Sequence, residues 1–587
     1  MLNETSVEGD VNSRNGTPDF AADWHGTDWA KVENEVRRLR QRIFKASQAG
    51  DLAKVRNLQK LMLRSHSNTL QSVRRVTQQS TGRRTAGVDG EKVLTPERRG
   101  RLAAEVSENS ASKARPVRRV FIPKANGKTR PLGIPTIRDR VEQARVKNAL
   151  EPEWEAIFDP RSYGFRPGRG CHDALEMIHT VVSRGKRKWV LEADLEAAFD
   201  RIDHGHLMSQ LGSFPARKAV RGWLRAGVLE GRTYSATVEG TPQGGVISPL
   251  LMNIALNGME TAVGVRTKVV KGMLKTHLDS PVLVRYADDF VVMYHEERDA
   301  HEGMLKLRDW LGPRGLTLNE GKTGVIRTTE GFDFLGMNVR TYRNGSTLLR
   351  PTRKAVQRAR KRIKEIITIH GGNETAITAK LNPFIRGWCA YYSPVSARAE
   401  YRALDAYVFR TLWKWALNRH RRKGRVWVAN RYWGHQNPSR PKDRWVFGPR
   451  DGTYLLKFGW TQTRYRRGVP ANVSKDDPAK AEYWANRTRK RGMPQTERKL
   501  VIRLAVRQKG LCPGCGLDLM EGAGYEPDNL RDWVAWFDRS RRAFNVHHVI
   551  HKVNGGSDDL NNLELRHTEC HQQLHAGGHD RSESARS

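Results

Sequence analysis

The sequence predicts an α+β protein of several domains. Its 587 residues are too many for one apolar core and suit roughly three to five domains. Residues 115–350 alternate strand-like and helix-like segments, whereas residues 351–425 are helical and basic. Three of the five cysteines, Cys512, Cys515 and Cys570, lie among histidines near the end of the chain. That is the arithmetic of a metal site and not of a disulfide framework.

Charge narrows the class of partner. There are 103 Lys and Arg against 63 Asp and Glu, a net charge of +40. Such an excess suits a polyanion, most often nucleic acid, although a ribosome-like or merely adhesive basic protein has the same composition. No apolar run approaches the roughly 20 residues needed to cross a bilayer, so a soluble chain with no membrane partner is expected. Residues 1–28 carry six acids and one base, Arg14, without an apolar core. This argues against a secretory signal or transit peptide, and the polar composition predicts a disordered tail.

The elements follow in order. From Trp29 to about Val76 the pattern is helical and basic, with Val32, Val36, Leu39 and Ile43 and then Leu58, Leu61 and Met62 as its apolar positions. Residues 77–92 read as a polar loop. "RRVFIPK" (118–124) and "WVLEAD" (189–194) read as strands. "HDALEMIHTVVSRG" (172–185) reads as a helix with Ala174, Ile178, Val181 and Val182 on one face and Gly185 at its end. Residues 426–505 are irregular, with aromatics among bases. Residues 506–577 hold the Cys/His cluster, and a polar tail occupies 578–587. There is no internal repeat.

The chemistry starts at "VLVRYADDFVVM" (282–293), an apolar run interrupted by Asp288 and Asp289. Unpaired carboxylates are costly to bury, so the stretch reads as a tight hairpin with both acids at the turn. A surface Asp-Asp turn without chemical role fits the same residues. A second strand, "WVLEADLEAAFDRIDH" (189–204), ends at Asp194. Three converging carboxylates without Cys or His suit hard cations, Mg²⁺ in particular. Two such ions stabilise the attacking and leaving oxygens of an in-line phosphoryl displacement.

"RRVFIPKANGKTRPLGIPTIRDRVEQ" (118–143), "DLEAAFDRID" (194–203), "GTPQGGVISPLLMNI" (240–254), "YADD" (286–289), "GLTLNEGKTGVI" (315–326) and "FDFLGMNV" (332–339) resemble, in order, the successive blocks of reverse transcriptases. With "RRVTQQSTGRRTAGVDG" (74–90) and "LNPFIRGWCAYY" (381–392), the chain resembles the reverse transcriptase–maturases encoded by bacterial group II introns. The resemblance implies a right-hand architecture. An N-terminal extension and the start of the fingers would occupy 29–110, and fingers and palm with an antiparallel sheet 111–350. An α-helical thumb/maturase domain would occupy 351–440 and a DNA-binding region 441–505. It implies that Asp194 and Asp288 are the principal ligands of two Mg²⁺ ions, with Asp289 as the third acid. The resemblance makes Phe199 the steric gate against a 2′-hydroxyl, although its spacing alone favours plain core packing. Arg118, Lys124 and Arg130 would hold the triphosphate of an incoming dNTP, although a solvated basic strand face fits them too. Gln243 would line the primer and nucleotide site. Gly387, Trp388, Tyr391 and Tyr392 are expected to pack, and "RHRRKGR" (419–425) is either a solvated face or an RNA contact.

Two clusters overlap at the C-terminus. "CPGC" (512–515) has the spacing of a zinc knuckle, and His567 and Cys570 repeat it. Together these four could close a structural Zn²⁺ site. The rest of "VHHVIHKVNGGSDDLNNLELRHTECHQQLH" (546–575) resembles H-N-H nucleases, which fold as a small ββα-metal domain. That resemblance implies that His547, His571 and His575 ligate one divalent ion of unassigned identity. It also implies that His548 is the general base and Asn562 fixes the loop that orients it. His551 and His579 are read as exposed bystanders. A zinc module that only binds DNA is the competing reading.

The combination implies a protein that binds its group II intron RNA, assists splicing and stays with the excised lariat as a ribonucleoprotein. It would nick the second strand of a double-stranded DNA target and copy the intron RNA from the new 3′ end with dNTPs. The bacterial cytoplasm and nucleoid are the expected location, and a homodimer is left open. A non-mobile reverse transcriptase and an RNA-binding maturase with decayed enzyme sites are the other classes. The H-N-H residues argue against the first and the intact Asp194, Asp288, Asp289, Phe199, His547, His548 and Asn562 against the second.

Overall fold

The structure is a computed structural model that describes residues 19–108, 113–123, 129–270, 273–449, 451–491, 499–522, 530–539 and 543–576. Lys124, His579 and the first 18 residues therefore lie outside the described residues. The rest of the expected tail departs from expectation. Phe20–Gly26 is a helix whose N-terminal amides at Ala21 and Ala22 donate to Asp19. Trp24 is only 2% exposed and meets Trp29 edge-on at 4.9 Å. Local composition predicted disorder because the segment has little else to bury. Its indole against Trp29, the packing on Pro96–Glu108 and the Gln573 amide at the Trp24 and His25 carbonyls order it.

The next helices follow their apolar spacing. Asp28 caps Trp29–Gln48 by accepting from the Lys31 amide, and Trp29, Val32, Val36 and Ile43 are buried. Leu52–Arg64 buries Val55, Leu58 and Met62, while Leu61 stays exposed. His66–Arg74 continues through a π-helical turn, Arg75–Gln79, so helical structure runs past Val76.

The central sheet has the order Gly324–Arg327, Trp189–Asp194, Asp289–Tyr294, Val282–Tyr286, with every pairing antiparallel. Val190, Val282, Val284, Val291 and Met293 enter one apolar core, and Leu191, Ala193, Leu283, Phe290 and Val292 enter the other. Burial on both faces explains why these strands read as continuous apolar runs instead of alternating ones. Cys171–Val182 packs against Val282–Tyr286 and buries Ala174, Ile178, Val181 and Val182. A second sheet has the order Thr129–Ile134, Val117–Pro123, Val228–Glu230, Thr233–Ser235.

Beyond the small sheet Phe332–Phe334, Met337–Thr341, Thr347–Pro351 lie the helices Arg353–Ile369, Glu374–Tyr392, Arg398–Arg419 and Arg425–Tyr432. Trp388, Tyr391 and Tyr392 are buried, and the Tyr391 hydroxyl donates to the Leu335 carbonyl at 2.6 Å. Arg421, Arg422, Lys423 and Arg425 are exposed. Trp433 and Phe447 are packing residues, 5.4 Å apart and buried. The chain then folds back on the central domain. Arg169 donates to the carbonyls of Ala471 and Val473, and Arg40 pairs with Asp476 at 2.7 Å.

Two contacts blur the expected boundaries. Lys499–Arg507 spans the junction placed at 506 and belongs with the C-terminal module, since the Arg507 guanidinium donates to the Leu563 carbonyl. Leu530–Arg539 lies on Glu374–Tyr392, where a Cβ added at Gly387 would come 2.5 Å from the Val534 Cα. Among the described residues no helix is long and apolar enough to cross a membrane. Gly387→Ala should cost about 1–3 kcal/mol by overpacking this crossing. The melting temperature should fall and proteolytic release of the C-terminal module should rise relative to wild type. An unchanged melting temperature and digestion pattern would mean that Leu530–Arg539 is not docked there.

Candidate active sites

The hairpin turn at Ala287-Asp288 carries the first site. Asp194 ends its strand directly opposite Asp289, and Tyr286 pairs with Asp289 across the turn. Ala287 is held at φ 59°, a left-handed conformation that a side chain disfavours. Its carbonyl accepts from the fully buried Arg285 at 3.1 Å, and Arg285 also donates to the Asn253 Oδ1 at 3.0 Å. Asn253 in turn donates to the Gly164 carbonyl. A Cβ on Gly164 would come within 2.4 Å of the Ala287 amide nitrogen, so only glycine lets these two backbones meet.

The acids are electrostatically stressed. Asp289 is exposed at the rim of its strand, where desolvation by its neighbours and then repulsion from Asp288 and Asp194 raise it to about 7. Burial and Asp194 raise Asp288, while Arg130 and Lys322 oppose the rise. Raised carboxylates favour their protonated forms, so a neutral-pH triad is relieved by cations. Lys322 already supplies one, 2.5 Å from the Asp194 carboxylate. All-oxygen donors of this kind fit Mg²⁺.

The surrounding candidates divide. Phe199 is half-buried with its ring edge-on to Phe165 at 6.4 Å. The Gln243 amide donates to Asp200 at 2.9 Å. Arg130 is exposed and contributes to the field at Asp288. Arg118 differs in that its Nη2 donates to the Ala86 carbonyl at 2.8 Å, bracing the second sheet against the 74–90 segment.

At the C-terminus the antiparallel strands Phe544–His548 and Leu563–His567 and the helix Thr568–Ala576 form a ββα unit. The donor atoms of Cys512, Cys515, His567 and Cys570 are all buried and lie within 4.8 Å of one another. The His567 Nε2 meets the Leu519 carbonyl at 3.1 Å, which turns Nδ1 toward Cys515, 3.5 Å away. Three thiols and an imidazole at this spacing fit Zn²⁺.

Beside it is a cleft of about 290 Å³ lined by His547, His548, His551, His571 and His575. Donor atoms of His547, His551 and His575 fall within 4.8 Å of one another, and the His571 Nε2 lies 3.2 Å from the His575 Nε2. His551 is exposed, as expected, yet its ring stands within the histidine cluster. It precedes the one-turn 3₁₀ segment Lys552–Asn554, and its proximity to His547 and His575 is not revealed by linear spacing. Burial, then Arg566 and the neighbouring imidazoles, lower His547 to about 4, which favours the neutral ligand form. The Asn562 side chain accepts from the Ile550 amide and donates to the carbonyls of Ile550 and Ser557, pinning the loop. The His548 Nε2 meets Asp558 at 2.8 Å, which leaves Nδ1 as the proton acceptor.

Comparison with known proteins places these geometries. Family models match for an N-terminal domain of reverse transcriptase (24–106), a reverse transcriptase or RNA-dependent DNA polymerase (122–339), a group II intron maturase-specific domain (356–433) and an HNH endonuclease (535–577). Protein YkfC of Escherichia coli K12 is 35% identical over 320 residues, 47% of this chain and 81% of that protein. The group II intron-encoded protein LtrA of Lactococcus lactis subsp. cremoris is 31% identical over 288 residues, 39% of this chain and 48% of LtrA. The chain belongs to the group II intron-encoded reverse transcriptase–maturases. Maturase-like protein 1 of Euglena gracilis is more distant, 28% identical over 62% of this chain and 76% of that protein.

This intron-encoded protein thus carries RNA-directed DNA polymerase, maturase and HNH endonuclease modules in one polypeptide. Residues that spacing did not single out serve its sites. Lys322 lies in the recognised 315–326 block, but its reach to Asp194 depends on a strand pairing. Arg285, Asn253, Gly164 and Asp558 act by position alone. Gly164→Ala should displace the turn and cut primer extension by about 100-fold, since misplacement of order 1 Å costs that much. The fold should survive, as judged by circular dichroism. Wild-type extension by this variant would show that the turn tolerates the added methyl.

Proposed function

We propose that the protein binds its own intron RNA, assists splicing and remains on the excised lariat as a ribonucleoprotein. It then nicks the second strand of a double-stranded DNA target and copies the intron RNA by target-primed reverse transcription. One observation carries this reading: a carboxylate triad at a strained hairpin and a histidine-lined cleft coexist on one strongly basic chain.

Asp194, Asp288 and Asp289 would hold two Mg²⁺ ions, which when bound neutralise charge on the attacking and leaving oxygens. Arg130 offsets triphosphate charge beside Asp288, and Lys124 is assigned the same role. Arg118 acts mainly as a brace. Phe199, held by Phe165, crowds a ribose 2′-hydroxyl and favours dNTPs. Gln243, oriented by Asp200, lines the primer path.

His547, His571, His575 and also His551 would hold the nuclease ion, which when bound polarises the scissile phosphate. All-imidazole ligation suits Zn²⁺ or Ni²⁺ better than Mg²⁺. His548 takes a proton from water at Nδ1 with Asp558 fixing its other nitrogen, and Asn562 keeps the loop in place. Cys512, Cys515, His567 and Cys570 would hold a Zn²⁺ that stabilises the small module. The exposed bases of 419–425 contact RNA phosphates, and 441–505 holds DNA, with Tyr465, 85% exposed, available to stack. The bacterial cytoplasm at the nucleoid is the proposed location.

Two substitutions test the division of labour. Asp288→Ala should lower extension on an RNA template by about 100-fold or more while intron splicing persists. Loss of splicing in a normally folded variant would overturn the separation of roles. His548→Ala should reduce second-strand nicking by about 100-fold or more and leave extension of a supplied primer intact. Wild-type nicking would remove His548 from the mechanism.

A further inference from the structure

Arg74 ends the helix His66–Arg74 in the reverse transcriptase half, yet its guanidinium reaches the C-terminal module. It is 2% exposed. Its Nη2 donates to the Cys570 Sγ at 3.0 Å and its plane lies over the Trp29 ring, 4.3 Å from the centroid. Its Nε and Nη1 are buried with no hydrogen-bond partner. A buried guanidinium needs a counter-charge. The cluster of Cys512, Cys515, His567 and Cys570 offers one. Three thiolates and a neutral imidazole around Zn²⁺ carry one net negative charge.

A second contact ties the same surfaces. The Gln573 side-chain amide lies within hydrogen-bond distance of the carbonyls of Trp24, His25 and Thr27, joining Thr568–Ala576 to Phe20–Gly26. Trp24, Trp29, Val73, Cys512, Cys515 and Cys570 share one continuous apolar core.

We infer that Arg74 is the counter-cation of the zinc–thiolate cluster, so that the metal site is an inter-domain latch holding the nuclease module against the N-terminal helices. Arg74 is a positioning residue, and Zn²⁺ occupancy and docking are linked through it. The inference rests on the zinc reading of the cluster.

The test uses the purified full-length chain. Zinc content is measured first, and less than one equivalent would overturn the zinc reading and the latch with it. With zinc present, release to a chromogenic chelator should be roughly 10- to 100-fold faster in Arg74→Met, with Arg74→Lys in between. Amide exchange at Phe20–Gly26 and Thr568–Ala576 should rise together in Arg74→Met. Stripping zinc from the wild-type chain should raise exchange at Phe20–Gly26 while the central sheet stays protected. Wild-type zinc release by Arg74→Met, or unchanged exchange at Phe20–Gly26 in the stripped wild type, would overturn the latch while leaving the zinc reading intact. The stripping experiment decides the matter alone if Arg74→Met does not fold.

Discussion

Asp194 and Asp289 face each other across an antiparallel strand pair, with Asp288 at the adjoining turn. Like charges directly opposite destabilise a sheet, and their mutual repulsion helps to hold Asp289 well above the usual carboxylate range. The surrounding structure compensates. Apolar residues on both faces of the sheet fix the register, since a one-residue slip would move every side chain to the wrong core. Arg285, Asn253 and Gly164 hold the left-handed turn from behind. Lys322 lies in front at Asp194 and Arg130 contributes charge at Asp288. The crowding persists because the scaffold over-determines it, which is the expected signature of a site built to receive cations.

Much of this was legible in the chain itself. The hairpin at 282–294 and the strand ending at Asp194 follow from short apolar runs broken by acids, and the helix at 172–182 from its periodicity. The Cys/His cluster followed from spacing, because its ligands come in two tight pairs. What escaped depends on long-range pairing. Phe20–Gly26 is too short to predict by itself and is ordered by Trp24 meeting distant helices and by Gln573 reaching its carbonyls. His551 joins the histidine cleft through a loop whose path Asn562 sets from across the turn. Arg118 carries the right charge for a phosphate contact, but its reach to Ala86 is a property of the tertiary fold.

The C-terminal module also looks separable in sequence and is not so in the fold. It meets the helical region through Val534 on Gly387 and the N-terminal helices through Arg74 and Gln573. The segment 469–477 returns to the central domain through Arg169 and Arg40. If the intervening region holds DNA as proposed, that DNA would be presented to two sites whose spacing is set by packing and not by a free linker. For a protein that must cut one strand and extend from the cut, a fixed offset between sites is a geometric requirement, because the new 3′ end has to reach the carboxylates.

The three ligand sets differ in the ions that their chemistry suits. Three carboxylates offer only hard oxygens, and they suit Mg²⁺, which is abundant and weakly held. Cys512, Cys515, His567 and Cys570 offer mainly soft sulfur in a buried, closed arrangement, which suits Zn²⁺ held for structure. The imidazoles of His547, His551, His571 and His575 are intermediate in softness and open to a cleft, which leaves room for a phosphate. Softness separates the first two sets by itself. The third is separated from the second by access, since the thiol cluster is sealed by Arg74 and the core while the histidines remain open. If Arg74 helps to seal it, the selectivity of the buried site depends on the same contact that docks the domain. Metal choice and domain arrangement would then be one structural problem with one solution.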